Sequence, residues 1–219
     1  VHNSDGSSGG TMNMYRGLAN STNCIVAQLM YTMGANAPSN VIDFVRKMGI
    51  DSAKLDPVPS ICLGVTDISP YDMAGAFSTF ANKGYWIEPS YLTRIEDKNG
   101  NVLAEFGTTD IKQIMTEEKA YVMCQLLQGV VQGGTGQRLK SKYGVEGWVG
   151  GKTGTTQSNS DGWFMGVTKD LVCATWVGCD SRKVRFRSTN LGQGAHAALP
   201  IFAYFIKKAK EDPKLDINL

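Results

Sequence analysis

Gly150-Gly151-Lys152-Thr153-Gly154-Thr155-Thr156 is a glycine-flanked, hydroxyl-rich run that holds a single lysine. Apolar segments bound it. Val149 precedes it, and Gly162-Trp163-Phe164-Met165-Gly166-Val167 and Leu171-Val172-Cys173-Ala174-Thr175-Trp176-Val177-Gly178 follow. The two later runs predict short strands, with Thr168-Lys169-Asp170 as a hairpin turn. Glycine at 150, 151 and 154 leaves the strand bare, so another backbone or a ligand can approach closely. Lys152 then projects a cation into that space with the Thr153 and Thr155 hydroxyls beside it. A fixed cation flanked by hydroxyls is a seat for a carboxylate or a phosphate.

Two functional readings compete for a Gly-Lys-Thr. A phosphate-binding loop needs glycine five residues before Gly151, where Glu146 stands, and an apolar helix after the lysine, where the run is glycine and polar. It fails on both counts. The other reading is the Lys-Thr-Gly strand of serine acyl-transfer enzymes that act on penicillins and peptidoglycan stems. The tripeptide alone also fits a polar edge strand with no chemistry.

Composition narrows the classes. At 219 residues the chain is one domain or two small ones, and 42% hydrophobic content allows a sizeable core. A net charge of +2 gives no electrostatic case for nucleic acid. No stretch is apolar and long enough to span a membrane, and the polar start Val1-His2-Asn3-Ser4-Asp5-Gly6 is no signal peptide. It reads as if cut from something longer. Five cysteines at 24, 62, 124, 173 and 179 suggest no disulfide framework. His2 and His196 are too few to make a zinc site with them.

In order, residues 3–10 predict a loop and Met12 to Ala19 a helix. Cys24 to Met30 predicts a second helix ending near Gly34, so Ser21 and Asn23 fall at a helix–loop–helix junction. There they either point into a cleft or cap the second helix. Helices are expected from Val41 to Met48 after a Ser39 or Asn40 cap, and from Ser69-Pro70 to Lys83-Gly84. Asp56 to Ser60 reads as extended. An Asn99-Gly100 turn joins strands within 91–97 and 101–106. Thr116-Glu117-Glu118 opens a helix filled by Tyr121, Val122, Cys124, Leu126, Leu127 and Val130, and Gly133-Gly134 stops it. Residues 135–147 form a basic connector, and Leu199 to Lys208 a terminal helix. No linker divides the chain, which is expected to be one unit over 1–219.

Lys152-Thr153-Gly154 stands 129 positions after Asn23, with Ser21-x-Asn23 upstream. That pair resembles the second and third motifs of penicillin-binding proteins. The likeness extends through Asn3-Ser4-Asp5-Gly6, Arg16 to Ser21, Ala76 to Gly84, Gly134-Thr135-Gly136, Gly151 to Thr156, Asp161-Gly162-Trp163-Phe164 and Gly192-Gln193-Gly194-Ala195. In collinear order these look like the transpeptidase domain of class A penicillin-binding proteins. The resemblance implies an α+β fold, an antiparallel sheet flanked by helices, here incomplete on its N-terminal side. About three strands over 149–178 are expected, with an edge and an apolar face left open.

The resemblance implies acyl transfer: a serine attacks the D-Ala-D-Ala bond of a stem peptide, and an amine of a neighbouring stem takes the acyl group. Ser21 would relay a proton, and Asn23 would orient the motif lysine and bond the substrate amide. Lys152 would hold the cleft positive. Thr153, Gly154 and Thr155 would bind the substrate, with the Thr155 N–H as half an oxyanion hole. Peptidoglycan stems and β-lactams are the implied ligands, with no cofactor and no metal. The family's nucleophile sits in a Ser-x-x-Lys upstream of the second motif, and no serine of this chain has lysine three places on. The expected partner is therefore an upstream half of the same domain, with a membrane anchor also outside the chain, on the periplasmic face of the inner membrane. A serine β-lactamase, a penicillin sensor and a non-catalytic scaffold remain the alternatives. If the motifs share one cleft, the Ser21 hydroxyl and Lys152 ammonium should lie within about 3–5 Å.

Overall fold

The computed structural model describes residues 1–8, 10–51, 53, 55–107, 111–215 and 217. Gly9, inside the expected N-terminal loop, lies outside the described residues. Two short helices, α1 (Met14–Ala19) and α2 (Asn23–Thr32), meet at a tight corner, and α3 (Ala37–Lys47) follows. α3 starts four residues before the expected Val41 because Pro38 fits its first turn, where a missing N–H costs nothing. The segment expected to be extended turns into a 3-10 helix at Pro59–Leu63. α4 (Pro70–Ala81) begins where the sequence says it should: the Ser69 hydroxyl accepts the Asp72 N–H at 3.1 Å and Pro70 sits at the first helical position.

Four short strands come next. β1 (Tyr85–Ile87) pairs antiparallel with β4 (Ile111–Gln113), and β2 (Arg94–Glu96) with β3 (Val102–Glu105). The β2–β3 turn is built by Asp97, whose Oδ1 accepts the N–H groups of Asn99 (2.7 Å) and Asn101 (2.9 Å), while Gly100 takes φ +84°. The β1–β4 pair was not foreseen, since three residues are too few to show an alternation. α5 (Glu117–Gly133) carries its apolar face inward at Ala120, Leu127, Val130 and Val131, but Tyr121 and Val122, expected in that face, are exposed.

β5 (Gly150–Thr155), β6 (Gly162–Val167) and β7 (Val172–Val177) form one antiparallel sheet in that order, with Lys152 opposite Met165 and Thr153 opposite Phe164. The Thr168 N–H closes the β6–β7 hairpin on the Leu171 carbonyl at 2.8 Å. Two short helices, α7 (Thr189–Gly192) and α8 (Gly194–Ala197), lead into α9 (Leu199–Glu211). Helices α4 and α5 pack on one face of the sheet and α8 and α9 on the other. The apolar face expected to lie open is thus covered, and β6 is buried at every position but Trp163, which is half-buried. β5 and β7 are the sheet edges.

The main core lies between the sheet and α9, where Val149, Phe164, Leu199, Phe202 and Ile206 are almost fully buried. A second cluster, around Met48, Ile50, Leu55 and Ala76, lies under α3 and α4 and is closed by Trp86 and Phe80. Gly166 sets how near α9 can come. A methyl group there would meet the Phe202 ring at 2.3 Å, and Phe202 is only 1% exposed and has nowhere to retreat. Gly166→Ala is therefore expected to cost about 1–3 kcal/mol through overpacking. Urea denaturation reads it, and an unchanged midpoint would show that the α9 interface is soft.

Candidate active site

The α1–α2 corner makes Ser21 available. Asn20 caps α1, the Ser21 N–H donates to the Leu18 carbonyl at 3.1 Å, and the Thr22 N–H reaches back to the Gly17 carbonyl at 2.9 Å. This is the paired closure in which the residue after the cap takes a left-handed backbone, a place that favours glycine. Ser21 holds it at φ 54°. A side chain kept in a conformation that repels it needs a compensating reason. Neither capping alternative holds: Thr22 is the N-cap of α2, and its side chain makes no cap hydrogen bond.

Across the cleft, β5 is an edge strand whose side chains alternate. Gly150 backs directly onto α5, where an added methyl would sit 3.1 Å from Leu127 Cβ. Lys152 shares that face. Its Nζ donates to Ser21 Oγ at 2.7 Å and to the Thr153 carbonyl at 2.8 Å. Residues 131 positions apart thus meet within the reach the motif order implies. Burial pushes the Lys152 ammonium down from 10.5 to about 8. The sheltered ammonium donates to two neutral oxygens, and desolvation is what moves its titration.

The threonines are also held in place. Thr153 Oγ1 shares a 2.6 Å hydrogen bond with Thr135 Oγ1, and the Thr135 N–H donates to the Ala19 carbonyl at 2.9 Å. The end of α5 is thereby stitched to both the α1–α2 corner and β5. Gly134 permits that approach, since a Cβ there would lie 2.1 Å from the Ala19 oxygen. Thr155 is exposed, and its Oγ1 accepts the Gly194 N–H at 3.0 Å. A hydroxyl used as an acceptor keeps its own proton for another group. Gly154, between them, has Trp163 Cβ 3.1 Å from where its own Cβ would be.

Asn23 is placed differently. It is the first residue of α2, and its Nδ2 donates to the His2 carbonyl at 3.1 Å. Asn3 Oδ1 accepts the neighbouring Cys24 N–H at 3.0 Å, so the N-terminal segment covers this end of the helix. The structure brings Ser21, Lys152, Thr153 and Thr155 to one edge and turns Asn23 to the chain terminus.

Three contributors escaped the sequence reading of individual residues. Thr135 and Gly194 lie in blocks noticed only as resemblance. Asp161 is a third. Burial alone would raise its carboxyl, but donors from Thr156 (2.8 Å), Trp176 (3.0 Å) and Ser160 (3.1 Å), with the charge of Arg182, hold it below the usual range. Trp176 is an exposed ring whose Nε1 donates to Asp161. His196 is a structural hub: its Nδ1 donates to the Asn190 carbonyl at 2.7 Å and its Nε2 meets the Arg138 guanidinium.

The sequence profile of the penicillin binding protein transpeptidase domain matches residues 1–203. Penicillin-binding protein 1A of Neisseria meningitidis is 29% identical over 211 residues, which cover 94% of this chain and 25% of the relative. The chain therefore spans about a quarter of that relative's length. Penicillin-binding protein 1A of Haemophilus influenzae shares the fold, with a TM-score of 0.86 and 24% identity over 97% of this chain and 36% of that one. PonA1 of Mycobacterium tuberculosis, in complex with penicillin V, gives 0.76 and 25% identity over all of this chain and 60% of that one.

Two measurements test the site. The folded state holds a lysine that titrates near 8 against 10.5 when unfolded, so the unfolded chain binds the extra proton between those values and stability rises with pH there. The protonated form costs about 3 kcal/mol below pH 8. Relative to wild type, Lys152→Met should lose that much of its standing between pH 7 and 10.5, and parallel stability curves would refute the burial. At the corner, Ser21→Gly should be more stable than Ser21→Ala by about 1 kcal/mol, because only glycine relieves the left-handed backbone. Equal stabilities would remove the strain.

Proposed function

The chain belongs to the penicillin-binding protein transpeptidase domain family, and on that premise we propose that its cleft carries out serine acyl transfer on D-Ala-D-Ala stem peptides. The supporting observation is the 2.7 Å hydrogen bond from Lys152 Nζ to Ser21 Oγ. It joins the second and third motif residues into one polar edge. In this reading the chain provides the relay and the anion seat. The attacking serine and its lysine belong to a Ser-x-x-Lys outside this sequence.

The chemistry follows from the donors. A serine hydroxyl is a weak nucleophile and needs a base beside it. Ser21 both accepts from Lys152 and carries a proton of its own, so it can pass one toward a leaving amine. Lys152, with one N–H left after its two bonds, balances the charge of the substrate's terminal carboxylate. Thr155 keeps its hydroxyl proton for that carboxylate because Gly194 supplies the N–H it accepts. The Thr155 N–H supplies half of the oxyanion hole, and such a donor is worth about 3–4 kcal/mol. Asn23 enters the site once its present contact with the His2 carbonyl is exchanged for the substrate amide. Penicillins occupy the same seat. The place of action is the peptidoglycan side of the membrane, with the anchor in a segment outside this chain; no helix among the described residues is long and apolar enough to cross a membrane.

Fluorescent penicillin tests the reading. A protein joining this chain to its Ser-x-x-Lys segment should be labelled, and Lys152→Ala should slow labelling by about 100-fold or more while remaining folded. The isolated chain should stay dark on a denaturing gel. A labelled band at its own mass, abolished by Ser21→Ala, would overturn the assignment and make Ser21 the nucleophile.

A further inference from the structure

The segment between β7 and α8 is unlike the rest of the surface. Residues 179–193 carry Arg182, Lys183, Arg185 and Arg187 against the single Asp180, a local charge of +3 in a chain whose total is +2. All four cations are exposed, as are Val184 (60%) and Phe186 (37%) between them. Arg182 pairs with Asp67. Among the described residues, Lys183, Arg185 and Arg187 have no ion-pair partner. Like charges so close repel one another unless an anion sits among them.

The segment is pinned beside the cleft. The Val184 N–H closes a turn on the Ser181 carbonyl at 2.9 Å, with Arg182 and Lys183 at its tip. The Phe186 N–H donates to the Asn159 carbonyl at 3.2 Å, and the Asn159 N–H donates to the Thr156 carbonyl at 3.2 Å. At Gly192, an added methyl would lie 2.7 Å from both Phe186 Cβ and Asn159 Cβ. Phe186 thus wedges the segment between the turn that ends β5 and the Gly192–Gly194 corner, whose Gly194 N–H is held by Thr155. Arg185 and Arg187 flank that wedge.

We propose that Lys183, Arg185 and Arg187 form a rim that binds a second carboxylate of the stem peptide, beyond the terminal carboxylate seated at Thr155, and so select carboxylate-bearing over amidated stems. This rests on the cleft being a stem-peptide site. Arginine's planar fork pairs two-pronged with a carboxylate, so two arginines with a lysine beside them suit a peptide with an internal acid. Exposed pairs are individually weak, so the three together are expected to give about tenfold discrimination at low salt, which shrinks as salt screens it.

The test uses the protein that carries the complete site. Two synthetic stem peptides, alike except that one internal carboxylate is free or amidated, compete with fluorescent penicillin for labelling. Wild type should favour the free carboxylate about tenfold at low salt, and Lys183→Gln/Arg185→Gln/Arg187→Gln should compete equally with both. Penicillin uptake by the variant reports an intact cleft; if it is lost, Arg185→Gln and Arg187→Gln are measured singly and each should reduce the preference. Equal competition by the two peptides in wild type, or a preference that survives the substitutions, overturns the rim. Binding of wild type to vesicles containing anionic lipid, lost in the variant while peptide preference stays, also overturns it and assigns the cations to a membrane surface. If wild type takes up no penicillin at all, the cleft reading fails first and the rim falls with it.

Discussion

An ammonium sheltered from water must find oxygen acceptors, and Lys152 finds them in the Ser21 hydroxyl and the Thr153 carbonyl. That requirement fixes the distance between the α1–α2 corner and the β5 edge. The depressed titration of the lysine reports that fitting acceptors only partly offset lost hydration. The left-handed backbone at Ser21 is the complementary cost. Glycine would satisfy the corner better but would leave the lysine with one acceptor fewer. Two unfavourable local terms, a desolvated cation and a strained serine, are therefore held by the same hydrogen bond, a pattern expected where chemistry rather than stability shaped the site.

The surrounding architecture serves to make close approaches possible. Gly134 lets the end of α5 touch the Ala19 carbonyl, and Gly194, where an added methyl would sit 2.2 Å from the Trp163 oxygen, lets the α7–α8 corner touch the sheet. Each approach is then secured by a threonine: Thr135 to Thr153 on one side, Thr155 to the Gly194 N–H on the other. The acidic hub at Asp161 fixes the turn that follows β5 by gathering donors from Thr156, Ser160 and Trp176. The edge strand is thus held from Thr153 to the turn that follows it, with Lys152 sheltered and Thr155 exposed at its end.

Much of this was legible residue by residue. The Ser69-Pro70 helix start, the Asp97-to-Gly100 turn and the Thr168 hairpin obey local chemistry, and each formed where its signal lay. The α3 start was signalled by Pro38, which fits a first helical turn, but the Ser39 or Asn40 cap competed with it; the β1–β4 pair did not announce itself, because three-residue strands carry no period. Tyr121 and Val122 misled for another reason: helical apolar residues need a neighbour on their side, and none of the described elements covers that stripe.

By itself the sequence determined the Lys-Thr-Gly strand, its two partner strands, the order of the motifs and the absence of a Ser-x-x-Lys. These are properties of adjacent residues, so period, turn chemistry and spacing suffice. Only the tertiary structure decided that Lys152 reaches Ser21, that Thr135 and Gly194 complete the threonine contacts, that Asn23 turns to the His2 carbonyl and that both faces of the sheet are covered. Those facts depend on where segments 18 to 131 residues apart come to rest, which packing against α5 and α9 sets and no local pattern encodes.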